Sequence, residues 1–427
     1  MLVLHSARTP HRRATKRVGL AIAGGGPLGG IYELGALRAL EEAIAGLDLT
    51  NMDVYVGISS GALIAAGLAN RLETAELCRI FVTGDSLEAH FRPETFVRPA
   101  VLEYLRSVAG VPGMLLRWFT DVARHPFAPH LSDTLLQFGS VLPTGLFDNS
   151  GIERFLEQVL TGGGRSNDFR TLKRPLYVIA AELDSGKAVR FGDRQHLDVP
   201  ISRAIVASAA LPGLYPPVKI GAKFYVDGAL QRTMHASAAL DAGADLVIGV
   251  NPLVPFDAAS ARAKGRNTPE SLIENGLLAV LSQTFRTLLQ SRVQSSVAKY
   301  TREYAHADVM VFEPDADDAE MFFTNVFSFS GRERMAEHAY QATRIDLRAR
   351  ASELAPVLKR HGLALRQDVL ADPHRTLVGG LRAKVPARTR TTARLQRALD
   401  ALDRKLPVDT GRKRSASPSK APRRKVR

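Results

Sequence analysis

Two short glycine motifs near the start of the chain each sit where an apolar run gives way to a helical pattern, and they constrain the fold more than any other feature. The first, Gly24-Gly25-Gly26-Pro27-Leu28-Gly29-Gly30, follows the run Val18 to Ala23. The second, Gly57-Ile58-Ser59-Ser60-Gly61, follows Val54-Tyr55-Val56. Arg17 to Ala23 reads as a buried strand. Ile31, Leu34, Leu37, Leu40 and Ile44 recur at helical spacing until Gly46. Val54 to Ile58 is the next strand, and the small residues Ala62 to Leu68 predict a helix that packs closely on a sheet. Both motifs are therefore expected at strand-to-helix turns.

Further strands are expected at Leu176 to Ala181, Lys187 to Phe191, Phe224 to Val226, Asp245 to Val250 and Asp308 to Phe312. Strands alternating with helical stretches predict a three-layer α/β/α fold with a mainly parallel central sheet. Residues 87–160 break the pattern, because Phe91, Tyr104, Leu116 and Trp118 are mixed with Arg92, Arg106 and Arg117 and interrupted by prolines. They read as an insertion of short amphipathic helices, either covering the sheet or forming a lipid-facing lid. The expected organisation is a basic arm at 1–16, a catalytic domain at 17–255 containing that insertion, a mostly helical extension at 256–375, and a basic tail at 376–427.

The chain has 427 residues and a formal net charge of +14, and that charge is unevenly placed. Residues 381–427 carry sixteen Lys and Arg against three Asp, and residues 1–18 carry five against none. The body between them is slightly acidic, with 36 basic and 40 acidic residues. Anion binding is thus expected of the ends. In the tail, Leu395, Leu399, Leu402 and Leu406 mark one side of a basic helix, and the stretch after Pro407 has almost nothing to bury. That tail is either a solvated extension or a contact for an anionic membrane or other polyanion. It lacks the interleaved aromatics of a nucleic-acid binder, so no specific nucleic acid is expected. The single cysteine, Cys78, excludes an internal disulfide and a thiol metal cluster and suits a reducing compartment. The N-terminus lacks a secretory apolar region, and no apolar run is long enough to span a bilayer. A cytoplasmic location, or a peripheral one on a lipid surface, is expected.

A serine hydroxyl needs a base to become a nucleophile, and the tetrahedral intermediate needs preorganised donors. Ser59 on a sharp turn and the main-chain N–H groups of the first glycine loop offer a nucleophile and the donors for acyl transfer. The first loop also matches the dinucleotide pattern Gly-x-Gly-x-x-Gly at Gly24, Gly26 and Gly29. That alternative calls for an acidic residue closing the next strand, where this chain instead has Gly57-Ile58-Ser59. A third element, Tyr225-Val226-Asp227-Gly228-Ala229, places a carboxylate at a strand end. A Ser-His-acid triad on an ordinary α/β-hydrolase remains a rival, with His235 as the histidine near that turn. Such folds put several strands before the serine, however, and here one precedes it.

The order of the glycine loop, the Gly-x-Ser-x-Gly elbow and the Asp-Gly-Ala turn resembles the patatin-like phospholipase family of bacterial type. The resemblance covers residues 17 to 255 well and reaches weakly to about 345. It implies a Ser-Asp dyad, with Ser59 attacking an ester carbonyl and Asp227 taking its proton. It further implies an oxyanion hole from Gly24, Gly25, Gly26 and Gly29, support from Gly57, Gly61 and Gly228, and no metal or diffusible cofactor. The implied substrates are phospholipids, lysophospholipids or other acyl esters. Family members commonly carry a basic residue where this chain has Leu28, so a lipid- or polyanion-binding scaffold with weak or no hydrolysis is the alternative.

Overall fold

The computed structural model describes residues 2–7, 16–89, 91, 94, 98–100, 144–232, 234–265, 272–323 and 329–381. Most of the amphipathic insertion and all of the tail beyond Leu381 lie outside the described residues. The chain up to Leu381 forms one compact unit.

Among the described residues nine strands build the main sheet: β1 (Leu2–His5), β2 (Val18–Ile22), β4 (Val54–Gly57), β5 (Leu176–Glu182), β6 (Ala188–Phe191), β7 (Val218–Ile220), β8 (Lys223–Asp227), β9 (Leu246–Val250) and β10 (Asp308–Phe312). Two further two-residue strands, β3 (Ile44–Ala45) and β11 (Ala364–Leu365), pair with each other. Hydrogen-bonded neighbours run β1-β10-β9-β2-β4-β5-β8-β7, with β6 also on β5. The five strands β10, β9, β2, β4 and β5 are mutually parallel, and the antiparallel pairings lie at the two sides.

Period-two alternation divides the buried residues between the two faces, as it must in a sheet covered on both sides. Leu20 and Ile22, Tyr55, Ile248 and Phe312 face one apolar cluster. Ala21, Val54 and Val56, Val247 and Val311 face the other. The first face is covered by α1 (Gly26–Ala43), α2 (Ser60–Ala69) and the helices Ser150–Thr161, Ile201–Ser208 and Phe329–Ala349. The second is covered by Ala236–Asp241 and by Leu289 of the long helix Gly276–Glu303. This is the three-layer α/β/α arrangement.

Two features depart from the sequence-based expectation. Leu2–His5, expected within a basic arm, pairs antiparallel with β10 in the register Leu2 to Phe312. The central sheet also crosses the expected boundary at 255, because β10 lies directly beside β9. An apolar run of three residues is too short to announce an edge strand, and the partner that makes it one lies some 300 residues away.

Candidate active site

The first functional turn is built by close approach. β4 ends at Gly57, and Ser59 then adopts φ 51° and ψ −121°, left-handed for a residue with a side chain. Such a conformation costs about 1–3 kcal/mol and persists only where its surroundings enforce it. The two flanking glycines allow that enforcement. A Cβ on Gly57 would lie 2.5 Å from the Ala62 Cα, and one on Gly61 would lie 2.2 Å from the Ala23 carbonyl oxygen. The Ile58 N–H donates to the Ile22 carbonyl at 3.2 Å, and the Ser59 N–H donates to Ser208 Oγ at 2.8 Å.

The glycine loop lies against this turn. A Cβ on Gly24 would stand 3.0 Å from the Ser59 Cβ and 3.4 Å from the Ala229 Cβ, so the loop is wedged between the serine and the Asp227 turn. Gly25 and Gly29 receive the Pro252 ring, with contacts of 2.5 and 2.9 Å for a Cβ at either position. Gly26 opens α1 with φ +61°, and Pro27 occupies the first turn. The N–H groups of a first helical turn have no acceptor within the helix, so α1 and α2 both present their N-terminal ends at the site. Leu28 packs against the main apolar cluster.

Asp227 closes β8 and is 4% exposed. Its Oδ1 accepts from the Ala229 N–H at 2.8 Å. Burial pushes its carboxyl up to about 6, against the lowering effect of the Ala229 N–H and of a hydrogen bond from Ser59. The groups that lower this carboxyl are thus Ala229 and Ser59, and His235 is not among them. That histidine is buried, and desolvation, followed by Arg232 and Arg190, holds it down at about 3. A Cβ on Gly228 would lie 2.3 Å from the Ile179 carbonyl oxygen, so the turn rests on β5 itself.

The way Ser59 meets Asp227 follows from the bonding of β5. Its odd-numbered residues serve one edge: Pro175 accepts from the Tyr55 N–H of β4, and the Leu183 N–H just past the strand donates to Phe224 of β8. Its even-numbered residues serve the other edge, where Glu182 donates to Lys187 beside β6. β4 and β8 therefore lie along the same edge and approach from opposite ends, Gly57 stopping opposite Val178 and Asp227 opposite Ala180. Between them the Ile179 carbonyl has no strand partner and accepts from Ser208 Oγ at 2.5 Å. Ser208 thus fills the break in the edge and holds the Ser59 N–H as well. Sequence reasoning assigned it no role, because a serine in an Ala-Ser-Ala-Ala run carries no local signal.

A pocket of about 910 Å³, open mouth included, starts at Ser59. Pro27, Ile31 and Leu34 of α1 and Leu63 and Ile64 of α2 form its walls, together with Phe81 and Phe91. Its lining is apolar apart from Ser59, Ser60, Tyr215 and Arg332. Arg332 is 1% exposed; its Nη1 donates to the Phe81 carbonyl at 2.8 Å, and its guanidinium carbon lies 5.6 Å from the Phe91 ring centre. Among the described residues no group of three or more His, Cys, Asp or Glu is placed to hold a metal, and no helix is long and apolar enough to cross a membrane.

The family model for patatin-like phospholipase matches residues 20–240, a span that contains the glycine loop, the Ser59 turn and Asp227. Among solved structures, VipD from Legionella pneumophila is similar at 17% identity over 59% of this chain and 53% of that one, with a TM-score of 0.33. Human GIVD cytosolic phospholipase A2, in complex with methyl gamma-linolenyl fluorophosphonate, is similar at 15% identity over 80% of this chain and 59% of that one, TM-score 0.33. ExoU in complex with SpcU, from the type III secretion system of Pseudomonas aeruginosa, is similar at 16% identity over 93% and 69%, TM-score 0.29. The chain spans about half the length of VipD.

Proposed function

Because the chain belongs to the patatin-like phospholipase family, we propose that it hydrolyses acyl esters of phospholipids or lysophospholipids with Ser59 as nucleophile and Asp227 as its base. Family membership supports lipid acyl hydrolysis as the class of reaction; the dyad and the substrates are the proposal. The observation that carries it is the buried Asp227 carboxyl, on a turn that lies across Gly24 from Ser59 and raised by burial while the hydroxyl of that serine, held at φ 51°, acts to lower it.

In the proposed reaction, Ser59 Oγ attacks the ester carbonyl carbon while its proton passes to Asp227. The carbonyl oxygen becomes an oxyanion, and N–H groups of Gly25 and Gly26 at the start of α1 and of Ser60 at the start of α2 stabilise it. Collapse breaks the ester C–O bond, and the departing alcohol takes the proton from Asp227. A water then gives its proton to Asp227 and attacks the acyl-serine, and the proton returns to Ser59 Oγ as the fatty acid leaves. A base near 6 suits this work, since it is ionised at neutral pH and still basic enough to accept a proton. The apolar pocket takes the acyl chain. The basic segment 381–427 is proposed to hold the enzyme on anionic lipid.

Hydrolysis of a phospholipid and lysophospholipid panel by wild type should fall at least about a thousandfold in Ser59→Ala and in Asp227→Asn. A fluorophosphonate should label Ser59 in the wild type alone. Full turnover by Ser59→Ala would overturn the assignment. A wild type that binds lipid vesicles but hydrolyses none of the panel would leave the scaffold alternative.

A further inference from the structure

Glu33 is fully buried on α1 at 0% exposure, and among the described residues its Oε1 has no hydrogen-bond partner. Its Oε2 accepts from the Ser60 hydroxyl at 3.3 Å. A carboxyl is expensive to desolvate with a bond unmade, and the α1 face around it is otherwise apolar, with Gly29, Ala36, Leu37 and Leu40 all buried. An aliphatic side chain there would avoid that penalty. Core packing therefore does not account for Glu33, and among the described residues its one side-chain hydrogen bond is to the residue that follows the proposed nucleophile.

The surroundings of Ser60 show what that contact joins. A Cβ on Gly30 would lie 3.2 Å from the Ser60 Cβ, and one on Gly29 would lie 4.0 Å from Ser60 Oγ. Glu33 stands one helical turn after those glycines, so the Ser60 side chain lies across the opening turns of α1 and is held at their far end. Ser60 is also the first residue of α2 and lines the pocket. The contact thus ties together the N-terminal ends of the two helices from which the oxyanion donors are proposed to come.

We propose that Glu33, acting through Ser60, is a positioning residue that sets the spacing between the oxyanion donors of α1 and those of α2. The inference rests on the Ser59–Asp227 reading of the site. Burial drives the Glu33 carboxyl well above its ordinary range, and a glutamine matches it in size and keeps an oxygen that can accept from the Ser60 hydroxyl. Oxyanion donors act on the transition state more than on the bound ester, so displacing them should lower kcat and leave KM nearly unchanged.

The test is steady-state kinetics on a phospholipid of the panel with the full chain, comparing wild type with Glu33→Ala, Glu33→Gln, Ser60→Ala and Ser59→Ala, each normalised to folded protein by near-UV circular dichroism. Glu33→Ala and Ser60→Ala are expected to lose about tenfold to hundredfold in kcat with KM changed less than about threefold. Glu33→Gln should recover most of the loss suffered by Glu33→Ala. If Glu33→Ala and Ser60→Ala, once folded, keep wild-type kcat, or lose only affinity, the positioning role is wrong while a dead Ser59→Ala keeps the dyad. If Ser59→Ala itself turns over normally, the reading of the site beneath the proposal fails instead.

Discussion

Ser208 carries two buried hydrogen bonds that nothing else in its surroundings replaces. Ser208→Ala would leave the Ser59 N–H and the Ile179 carbonyl unpaired, at about 1–3 kcal/mol each. The expected outcome is a lower thermal midpoint together with reduced turnover, because the main chain at Ser59 loses a restraint. Asp227 should behave in the opposite way. Its folded-state carboxyl titrates near 6 and an unfolded aspartate near 4. Between those values the native state keeps a proton that the unfolded chain has lost. Stability contributed by this group is therefore greatest in acid and falls as pH rises through about 6. Asp227→Asn removes the buried charge and retains an oxygen for the Ala229 N–H. It should raise the stability measured by denaturant at neutral pH by up to about 3 kcal/mol while hydrolysis disappears. A variant less stable than wild type would contradict the buried-charge account. In the wild type, kcat/KM should decline in acid with an apparent pKa near 6.

At the level of elements, the carboxy-terminal helices are pinned to the sheet by groups whose titration has the other sign. Asp308 opens β10 and accepts from His361 at 2.6 Å, from Arg360 at 2.6 Å and from the Ala7 N–H at 2.8 Å. Burial alone would raise its carboxyl, yet the bonds from His361, Arg360 and Ala7 outweigh it and hold it at about 2. This stability is fully present above about pH 4 and is lost as pH falls toward 2. Asp308→Asn should therefore lower the thermal midpoint at neutral pH and flatten its fall in acid. α1 meets the Phe329–Ala349 helix at Gly35, where a Cβ would stand 2.2 Å from the Ala336 carbonyl oxygen. Gly35→Ala is expected to cost about 1–3 kcal/mol in a urea titration, because backbone has to yield.

For the whole molecule, the strand–turn–helix units around Gly24 and Ser59 were legible because each is local and signalled by glycines within a few residues. Asp227 was legible through its place at a strand end. Ser208, Glu33 and Arg332 were not, since their partners at Ile179, Ser60 and Phe81 lie 29, 27 and 251 positions away. The same limit hid β1, which is a strand only beside β10. Charge partition was readable from the order of residues along the chain, and it predicts that removing 382–427 weakens binding to anionic vesicles while leaving hydrolysis of a monomeric ester intact, since Leu381 still closes the core; flotation beside an assay below the critical micelle concentration checks both. One consequence of the broken edge of β5 concerns how such a site endures change. Gly57 and Asp227 are registered two residues apart on a third strand, about 6.6 Å of extended chain, so β5 acts as the ruler between two groups it does not itself supply. Loops between them can lengthen freely without moving either mark, whereas one residue inserted at Ile179 would reset the gauge.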